Sequence, residues 1–179
     1  MMPRWAWDWF WLLLFRPTPR WAFGGWRRFL LRRFGARIGA GAVIRPSCRV
    51  QCPWNLTMER LSCLADHVVC DCSASITLGA KVIVSQHAML STASLNARTA
   101  RFEPLVRSIQ IEDRAWVASH VFVGPGVHIG RGAVVGACAV VAEDVAPWAI
   151  VVGNPLRTVG RRTIQEAVAG APETASPNF

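Results

Sequence analysis

Between Ile111 and Ala146 an aliphatic, β-branched residue recurs at every sixth position. The six positions are Ile111, Val117, Val123, Ile129, Val135 and Val141. The residue four places later is small or β-branched in every block: Ala115, Val121, Val127, Ala133, Ala139 and Val145. A period of six fits neither the 3.6 of an α-helix nor the 2 of a long strand. It predicts an all-β solenoid of short strands separated by corners, in which one side chain per strand returns to a common axis.

The same six-residue step can be followed towards the N-terminus, with two restarts of its frame. Its positions are Ile38, Ile44, Val50 and Leu56, then Met58, Leu64, Cys70 and Ile76, then Leu78, Val84 and Leu90. Residues 91–108 lose the repeat, and with Pro104 and mixed charge they show no other period. They predict an irregular excursion loop, which in a solenoid usually belongs to the working face. The coil is therefore expected over residues 37–149.

The first 36 residues stand outside the repeat and begin with the most apolar run of the chain. Residues 5–15, WAWDWFWLLLF, would rise only about 16 Å as a helix, roughly half of a bilayer core. Their tryptophans and the flanking arginines suit a segment that lies in a membrane interface. A helix packed on the subunit's own base explains the same residues, and the sequence leaves both interpretations open.

Two further helical segments are predicted outside the coil. Residues 25–35, GWRRFLLRRFG, predict a short amphipathic helix with an apolar stripe and with Arg27 off that stripe. The stripe consists of Trp26, Phe29, Leu30 and Phe34. In residues 150–179 the sequence predicts a turn at Gly-Asn-Pro, a short helix within residues 156–169 and a disordered tail over the last ten residues.

Composition and charge place the basic residues at one end of the molecule. Apolar residues make up 52% of the 179-residue chain and charged residues 17%, as expected for a solenoid with an apolar axis and apolar subunit contacts. The net charge is +9, of which residues 1–37 carry +7 through eight arginines against Asp8. A basic head on a nearly neutral body indicates a membrane or another anionic partner at that end, and excludes a nucleic-acid-binding body.

The six cysteines do not form a metal or disulfide pattern. No Cys-x-x-Cys pair is present, and Cys48 and Cys70 occupy repeat positions that small apolar residues fill elsewhere. Free cysteine packs as a small hydrophobe. The sequence therefore predicts packing cysteines, no metal, and a reducing cytoplasmic compartment, with the inner face of the membrane as the place of any peripheral contact through residues 1–24.

With the coil and the loop established, several short motifs carry a resemblance to a known family. They are Arg27-Arg28-Phe29-Leu30-Leu31-Arg32, Pro53-Trp54-Asn55-Leu56, Ile83-Val84-Ser85-Gln86, Ala115-Trp116-Val117-Ala118, Val123-Gly124-Pro125-Gly126-Val127 and Gly153-Asn154-Pro155. Over about residues 26–160 the chain resembles the hexapeptide-repeat acyltransferases. Within them it resembles the colanic acid biosynthesis acetyltransferases, which are related to the galactoside, maltose and nodulation acetyltransferases.

The resemblance implies a fold, an assembly and a reaction. The fold is a left-handed parallel β-helix, and the assembly is a homotrimer with active sites between neighbouring subunits. The reaction is the transfer of an acetyl group from acetyl-CoA to a sugar hydroxyl of an exopolysaccharide precursor. It needs a general base for the hydroxyl proton and hydrogen-bond donors for the oxyanion. The family supplies the base as a histidine in the excursion loop, within a Thr-Gly-Ser-His-Asp-like motif.

This chain departs from the family at that base. The matching stretch is Thr92-Ala93-Ser94-Leu95-Asn96, so Leu95 stands where the histidine is expected. Either another residue supplies the base, or the protein is a non-catalytic trimer that acts as a scaffold. His87 and His120 are the candidates for a replacement base, because each is fourth in its repeat and the two are expected to stack one coil apart, about 4.8 Å. His67 has the same phase.

The resemblance also implies contacts to the coenzyme. Ser119 matches a serine that binds acetyl-CoA, and Ala137 and Ala142 match positions whose backbone lies along the pantetheine arm. Arg157 matches an arginine near the nucleotide phosphates, whereas Glu143 replaces a helpful lysine. Two further arginines, Arg161 and Arg162, are expected to reach the same phosphate pocket.

A zinc-dependent carbonic anhydrase of the same fold class is a third reading that the sequence disfavours. Such an enzyme requires a pair of histidine ligands five residues apart. His120 and His128 are eight residues apart.

Overall fold

The computed structural model describes residues 4–19, 21–97 and 99–164. Its helical parts are α1 (Arg4–Phe10), a π-helical turn (Trp11–Phe15), α2 (Gly24–Arg33) and a 3-10 turn (Pro53–Asn55). The strands are β1 Arg37–Ile38, β2 Val43–Ile44, β3 Arg49–Val50, β4 Leu56–Met58, β5 Cys63–Leu64, β6 Val69–Asp71, β7 Ile76–Leu78, β8 Ile83–Val84, β9 Met89–Ser91, β10 Ala93–Leu95, β11 Pro104–Val106, β12 Ile109–Ile111, β13 Trp116–Val117, β14 Phe122–Val123, β15 His128–Ile129, β16 Val134–Val135, β17 Val140–Val141, β18 Ala149–Val152 and β19 Arg157–Arg161.

Three parallel sheets form the three faces of a coil. Sheet A contains β1, β4, β7, β12 and β15, sheet B begins with β2, β5, β8, β13 and β16, and sheet C contains β3, β6, β9, β14 and β17. Along the chain, successive coil strands pass from sheet A to B to C, so three strands and three corners complete one coil. The predicted solenoid is confirmed. The corners are named here by the sheets that they join: A–B, B–C and C–A.

The period-six aliphatic residues form the axis of the coil. Each two-residue strand points its second side chain inwards, as β13 and β14 show with Val117 and Val123, which are both fully buried. Ile111 is 1% exposed, and the later members of its frame are equally buried. Burial of one such side chain contributes about 1.5–3 kcal/mol, so the stacked aliphatics are the main source of stability in the coil.

The two restarts of the repeat lie in three-residue strands of sheet A. In β4, Leu56 and Met58 are both buried, and Thr57 between them points outwards. Because side chains alternate across a strand, a shift of two residues keeps both aliphatic residues on the axis. β7 and β12 have the same form, so the restarts confirm the predicted frames without any break in the core.

The excursion over residues 91–108 is more ordered than the sequence predicts. β10 and β11 form an antiparallel hairpin, so the expectation of an irregular loop was wrong. The hairpin is tied to the coil at Thr92, whose hydroxyl donates to the Asp71 carbonyl over 2.6 Å and whose carbonyl accepts from the Arg107 N–H over 2.9 Å. A segment that leaves the core has to pair its own backbone polar groups, and hairpin pairing does so.

The C-terminal segment is a strand and not the predicted short helix. Residues 157–161 form β19, which pairs antiparallel with β18 at the end of sheet B. An unpaired edge strand exposes its N–H and C=O groups, and β19 covers that edge. Residues 165–179, which include the predicted tail, lie outside the described residues.

The N-terminal helices close the base of the coil. Trp7 and Phe15 are fully buried, and the Trp7 ring lies 5.0 Å from the Phe34 ring. The Trp7 indole N–H donates to the Val50 carbonyl over 2.6 Å, and the Trp11 indole N–H donates to the Cys48 carbonyl over 2.9 Å. Packing on the subunit's own base is therefore confirmed for the inner side of this segment. No described helix is long and apolar enough to cross a membrane.

The inward face of α2 differs from the predicted stripe. Leu30 and Phe34 are buried as expected, but Phe29 is 55% exposed and Arg27 is only 3% exposed. Arg27 donates to the Ile44 carbonyl over 2.8 Å and to three oxygens of residues 18–22, so it joins the interhelical segment to the first coil. Burial lowers the pKa of Arg27. Helical spacing could not reveal this, because the acceptors are carbonyls of distant segments.

Four of the six cysteines pack in the core as predicted, whereas Cys52 is half-buried and Cys138 is exposed. All six are free, and Cys48, Cys63, Cys70 and Cys72 are buried. A hydrogen bond with Cys48, together with burial, raises the pKa of the Cys70 thiol well above its usual range. These buried cysteines are therefore unreactive parts of the core.

Candidate functional site

Three histidines form a ladder on the B–C corner, and it is called the histidine ladder below. His67, His87 and His120 follow β5, β8 and β13, and each takes a left-handed backbone conformation with φ of 58–60°. Neighbouring ring centroids are 4.8 Å apart, and the ring planes differ by 9° and 6°. The predicted stacking of His87 and His120 one coil apart is confirmed, and His67 extends it.

The ladder is positioned by the backbone of the coil. The His87 N–H donates to the Asp66 carbonyl over 3.0 Å, and the His120 N–H donates to the Gln86 carbonyl over 3.1 Å. The side chains are exposed, and no described residue hydrogen-bonds to the ring of His87 or His120. The His87 ring is therefore stacked on both faces, and the His120 ring is stacked on one face, against His87. A neutral imidazole held in this way is able to accept a proton from a bound hydroxyl group.

Two of the residues that the resemblance links to the coenzyme lie beside the ladder. Ser119 precedes His120 at the B–C corner, and Ala137 occupies the same place one coil further on. The Cys138 N–H donates to the Ser119 carbonyl over 3.0 Å, so the two corners are joined directly. Ala137 is exposed and Ser119 is half-buried. The fold thus brings Ser119, Ala137 and His120 together on one corner of adjacent coils.

Ala142 and Arg157 extend the same end of the coil. Ala142 follows β17 directly and is exposed. Arg157 begins β19, pairs with Val152 and is exposed, near the turn made by Gly153. Ser119, Ala137 and Arg157 therefore lie at the B–C side of the C-terminal coils, whereas Ala142 lies beyond β17, at the C–A corner of the coil that holds Ala137.

Arg161 and Arg162 do not join Arg157 within one chain. Arg161 pairs with Ala149 at the opposite end of β18. The Arg162 guanidinium donates to the Arg114 and Gly132 carbonyls over 2.8 and 3.2 Å, at the A–B corner. Sequence proximity to Arg157 was misleading, because β19 spans the width of sheet B.

Arg162 instead lines a basic cavity that the sequence analysis missed. The cavity has a volume of about 360 Å³ and is lined by Lys81, Ile83, Arg114, Ala115, Trp116 and Arg162. Trp116 is 44% exposed, and its indole N–H donates to the Ser85 hydroxyl over 3.0 Å. Lys81 and Arg114 take equivalent left-handed positions on consecutive coils. Their common phase in the repeat was the signal available in the sequence.

Leu95, the position at which the resemblance predicts a histidine, lies elsewhere. Leu95 is 60% exposed at the end of β10, opposite Pro104. The hairpin leaves sheet C after β9 and returns to sheet A at β12, so its root is at the C–A corner. The histidine ladder is at the B–C corner. A site that uses both the hairpin and the ladder therefore draws on two different corners of the coil.

The remaining histidine is paired with a carboxylate. The His128 Nε2 lies 3.1 Å from Glu112 Oε1 on the outer surface of sheet A. Among the residues that the structure describes, no three histidine, cysteine, aspartate or glutamate side chains are grouped so as to hold a metal ion.

Comparisons with known proteins agree with this architecture. The family model for bacterial transferase hexapeptide (six repeats) matches residues 108–143. The protein named "Putative colanic acid biosynthesis acetyltransferase WcaF" of Escherichia coli (strain K12) is 39% identical over 141 residues, which cover 79% of this chain and 78% of that protein.

Solved structures share the fold over most of the chain. A hexapeptide-repeat acetyltransferase of Vibrio cholerae O1 biovar eltor, in complex with acetyl coenzyme A, has a TM-score of 0.74 and 26% identity, covering 84% of this chain and 82% of that chain. A maltose O-acetyltransferase from Clostridium difficile 630 has a TM-score of 0.79 and covers 90% and 86% respectively, with 23% identity, so it bears on the fold alone. The chain belongs to the hexapeptide-repeat acetyltransferases, with the left-handed β-helix of that family.

Proposed function

We propose that the protein transfers an acetyl group from acetyl-CoA to a sugar hydroxyl in an exopolysaccharide precursor, and that it does so as a cytoplasmic homotrimer. The observation that carries the proposal is the 39% identity, over most of both chains, with a protein named for colanic acid biosynthesis. Support for the donor comes from the similar Vibrio cholerae structure, which holds acetyl coenzyme A. Free cysteines fit the reducing compartment in which acetyl-CoA is made.

The proposed chemistry is an acyl transfer through a tetrahedral intermediate. The sugar oxygen attacks the thioester carbonyl, the new C–O bond forms and the C–S bond breaks. The hydroxyl proton passes to a general base and then to the departing thiolate, so that the products are the acetylated sugar and free CoA. We assign the base to His120, because it adjoins Ser119 and its ring is held at the corner where Ser119 and Ala137 lie. His87, one coil away, is the second candidate.

The hairpin leaves the coil at the C–A corner, whereas the histidine ladder lies at the B–C corner. A homotrimer is able to bring these two corners together, each from a different subunit. In a threefold arrangement of parallel coils, the C–A corner of one subunit is able to approach a different corner of its neighbour. The outer faces of sheets B and C carry apolar residues suited to such contacts, among them Met89 at 38% exposure and Trp116 at 44%.

Light scattering of the purified protein is expected to give a mass three times that of the 19.7 kDa chain. A monomeric mass would contradict the assembly.

A non-catalytic scaffold is the second candidate function, and Leu95 is the observation that favours it. Leucine has no group that accepts a proton, so the family's usual base is missing. The test is to incubate the protein with acetyl-CoA and a panel of sugars and to measure released CoA by chromatography. A thiol-reactive dye is unsuitable, since the exposed thiol of Cys138 would react with it. The absence of CoA release above background with every acceptor would contradict the enzymatic function and favour the scaffold.

Variants of the ladder identify the base. Loss of a general base lowers kcat by about 10²–10⁴-fold, and this is the expected effect of His120→Ala. His67→Ala is the matched control, because His67 belongs to the same stack but lies two coils from His120. Equal losses for both variants would contradict a specific role for His120. If His87→Ala alone abolishes turnover, the base is His87.

Leu95→His tests whether the family's own base can be restored. The side chain at this position is 60% exposed, so the change is not expected to disturb the fold. If the parent releases no CoA and this variant does, the rest of the active site is intact and only the loop base has been lost.

A further inference from the structure

The N-terminal cap, defined as residues 4–34, has an outer surface unlike the rest of the molecule. Of the eighteen large apolar side chains that the described residues leave exposed, ten lie in this cap. They are Trp5, Trp9, Phe10, Leu12, Leu13, Leu14, Trp21, Phe23, Trp26 and Phe29. Exposed apolar residues scattered singly are normal, whereas this density on one end of a molecule indicates an interaction surface.

The cap is fixed in place, so this exposure does not reflect loose attachment. Its inner side is held by the fully buried Trp7 and Phe15 and by the nearly buried Arg27. Asp8 accepts from the Arg49 guanidinium over 2.6 Å, and this pair joins α1 to β3. The helices therefore present their outer side chains from a rigid platform at the base of the coil.

The outer surface of the cap is apolar, whereas the outer surface of an ordinary solenoid cap is polar. Terminal caps of repeat proteins carry a polar outer face, which keeps the open end of the stack soluble. Here Trp5 is 67% exposed, Trp9 60% and Leu13 61%. The cap shields the coil axis from water and at the same time exposes a second apolar surface.

The charges around this surface are positive. Arg16 and Arg33 are exposed. Arg4, Arg28 and Arg32 instead lie against the coil, where they donate to the Gln51 side-chain oxygen and to the Ala42 and Ile38 carbonyls. The one acidic residue of the cap is Asp8, which is paired with Arg49. An apolar centre of tryptophan and leucine with arginines around it, and with no unpaired acid, matches the interface of an anionic bilayer.

We propose that the outer surface of the cap docks on an anionic phospholipid bilayer, with the coil axis directed away from the membrane. The tryptophan and leucine side chains enter the boundary between headgroups and acyl chains, and the arginines contact lipid phosphates. No described helix is long enough to cross the bilayer, so the attachment is peripheral. The proposal goes beyond acetyl transfer and does not depend on it.

A lipid surface fits this patch better than a protein partner for two reasons. The exposed side chains come from α1, the turn that follows it, the interhelical segment and α2, which gives a broad surface in place of a groove for one partner segment. The second reason is the charge, because exposed tryptophan and leucine accompanied by arginines and no unpaired acid are typical of a segment at an anionic membrane surface.

The test is co-sedimentation of the full chain with vesicles, without acetyl-CoA. Vesicles of phosphatidylcholine with a quarter phosphatidylglycerol are compared with vesicles of phosphatidylcholine alone. Binding to the anionic vesicles is expected to be stronger and to weaken with salt. Each arginine near the surface contributes about fivefold in affinity, so Arg16→Ala/Arg33→Ala is expected to lose roughly 25-fold.

The apolar contribution is tested by Trp5→Ser/Trp9→Ser/Leu13→Ser. This triple variant is expected to lose at least about tenfold in affinity for both kinds of vesicle. The matched control is Phe102→Ser/Val159→Ser, whose residues are 58% and 60% exposed outside the cap. Circular dichroism melting is used to confirm that both variants are folded.

Three outcomes would overturn the proposal. The first is that the full chain does not sediment with anionic vesicles at low salt. The second is that the triple variant and the control sediment equally. The third is that the triple variant has a smaller mass than the parent in vesicle-free solution while the parent does not bind vesicles, since the cap is then a contact between copies of the chain. None of these outcomes depends on whether acetyl transfer is observed.

Discussion

The closure of the coil by Trp7 can be tested by a single truncation. Trp7→Ala removes a fully buried indole, its contact with Phe34 at 5.0 Å and its hydrogen bond to the Val50 carbonyl. A buried tryptophan or phenylalanine changed to alanine costs about 3–5 kcal/mol. At this chain length 1 kcal/mol lowers Tm by about 2–4 °C, so a decrease of roughly 6–20 °C is expected in a thermal unfolding curve followed by circular dichroism.

Two further variants separate the causes of that decrease. Trp7→Phe keeps an aromatic ring but leaves the Val50 carbonyl without its donor, which is expected to cost about 1–3 kcal/mol. Trp5→Ala is the control, since Trp5 is 67% exposed and its loss is expected to stay within about 0.5 kcal/mol. If Trp7→Ala and Trp5→Ala melt at the same temperature, the cap does not stabilise the coil and the reasoning is refuted.

The remaining predictions concern the coil itself. A Cβ on Gly79 would lie 2.5 Å from Asp113 Oδ1 and 2.6 Å from the Asp113 nitrogen, so Gly79→Ala is expected to destabilise by about 1–3 kcal/mol in urea unfolding. Gly25→Ala is its control, because nothing lies within 4 Å in α2 and the change is expected to stabilise by about 0.5–1 kcal/mol. Val123→Ala, in the fully buried axis, is expected to cost about 1–3 kcal/mol, and a loss below 0.5 kcal/mol would contradict close packing of the axis.

The coil could be predicted from the sequence because one rule applies at every turn. Each two-residue strand has room for one inward side chain, and from Ile111 to Val141 a β-branched aliphatic residue fills every such position. Even the frame restarts were informative, since Leu56 and Met58 share an inward face. The same regularity predicted that His87 and His120 would stack.

The predictions that were wrong concern residues whose contact partners are distant in sequence. Arg27 was expected on the solvated side of α2, yet it is buried against carbonyls of the first coil and of residues 18–22. The segment from Arg157 to Arg161 was expected to be helical, but an exposed strand edge at β18 makes pairing more favourable than local helix formation. In both cases tertiary contacts decided the structure, and no short-range pattern records them.

The sequence left two interpretations open for the tryptophan-rich segment: packing on the subunit's own base, or contact with a membrane. The segment has two sides, and its inner side packs on the base. Trp7 and Trp11 donate to carbonyls of the coil, whereas Trp5 and Trp9 point outwards. The period of two between these tryptophans is not helical, so the pattern alone could not separate the sides. The contacts of Trp7 and Trp11 show that the inner side packs on the coil. Sedimentation with vesicles tests whether the outer side binds lipid.

The regular coil is able to hold a replacement base more rigidly than the hairpin would hold a histidine at position 95. A loop base is held by a segment that pairs mainly with itself, as the hairpin that carries Leu95 does here. A base on the corner is held by backbone hydrogen bonds between coils, such as that from the His120 N–H to the Gln86 carbonyl. Under the proposed function, His120 is therefore the more rigidly positioned group. Restoring histidine at position 95 is expected to add a second base on the opposite corner, so in the Leu95→His variant the effect of His120→Ala on turnover is expected to shrink. An unchanged effect would show that the two positions do not serve the same site.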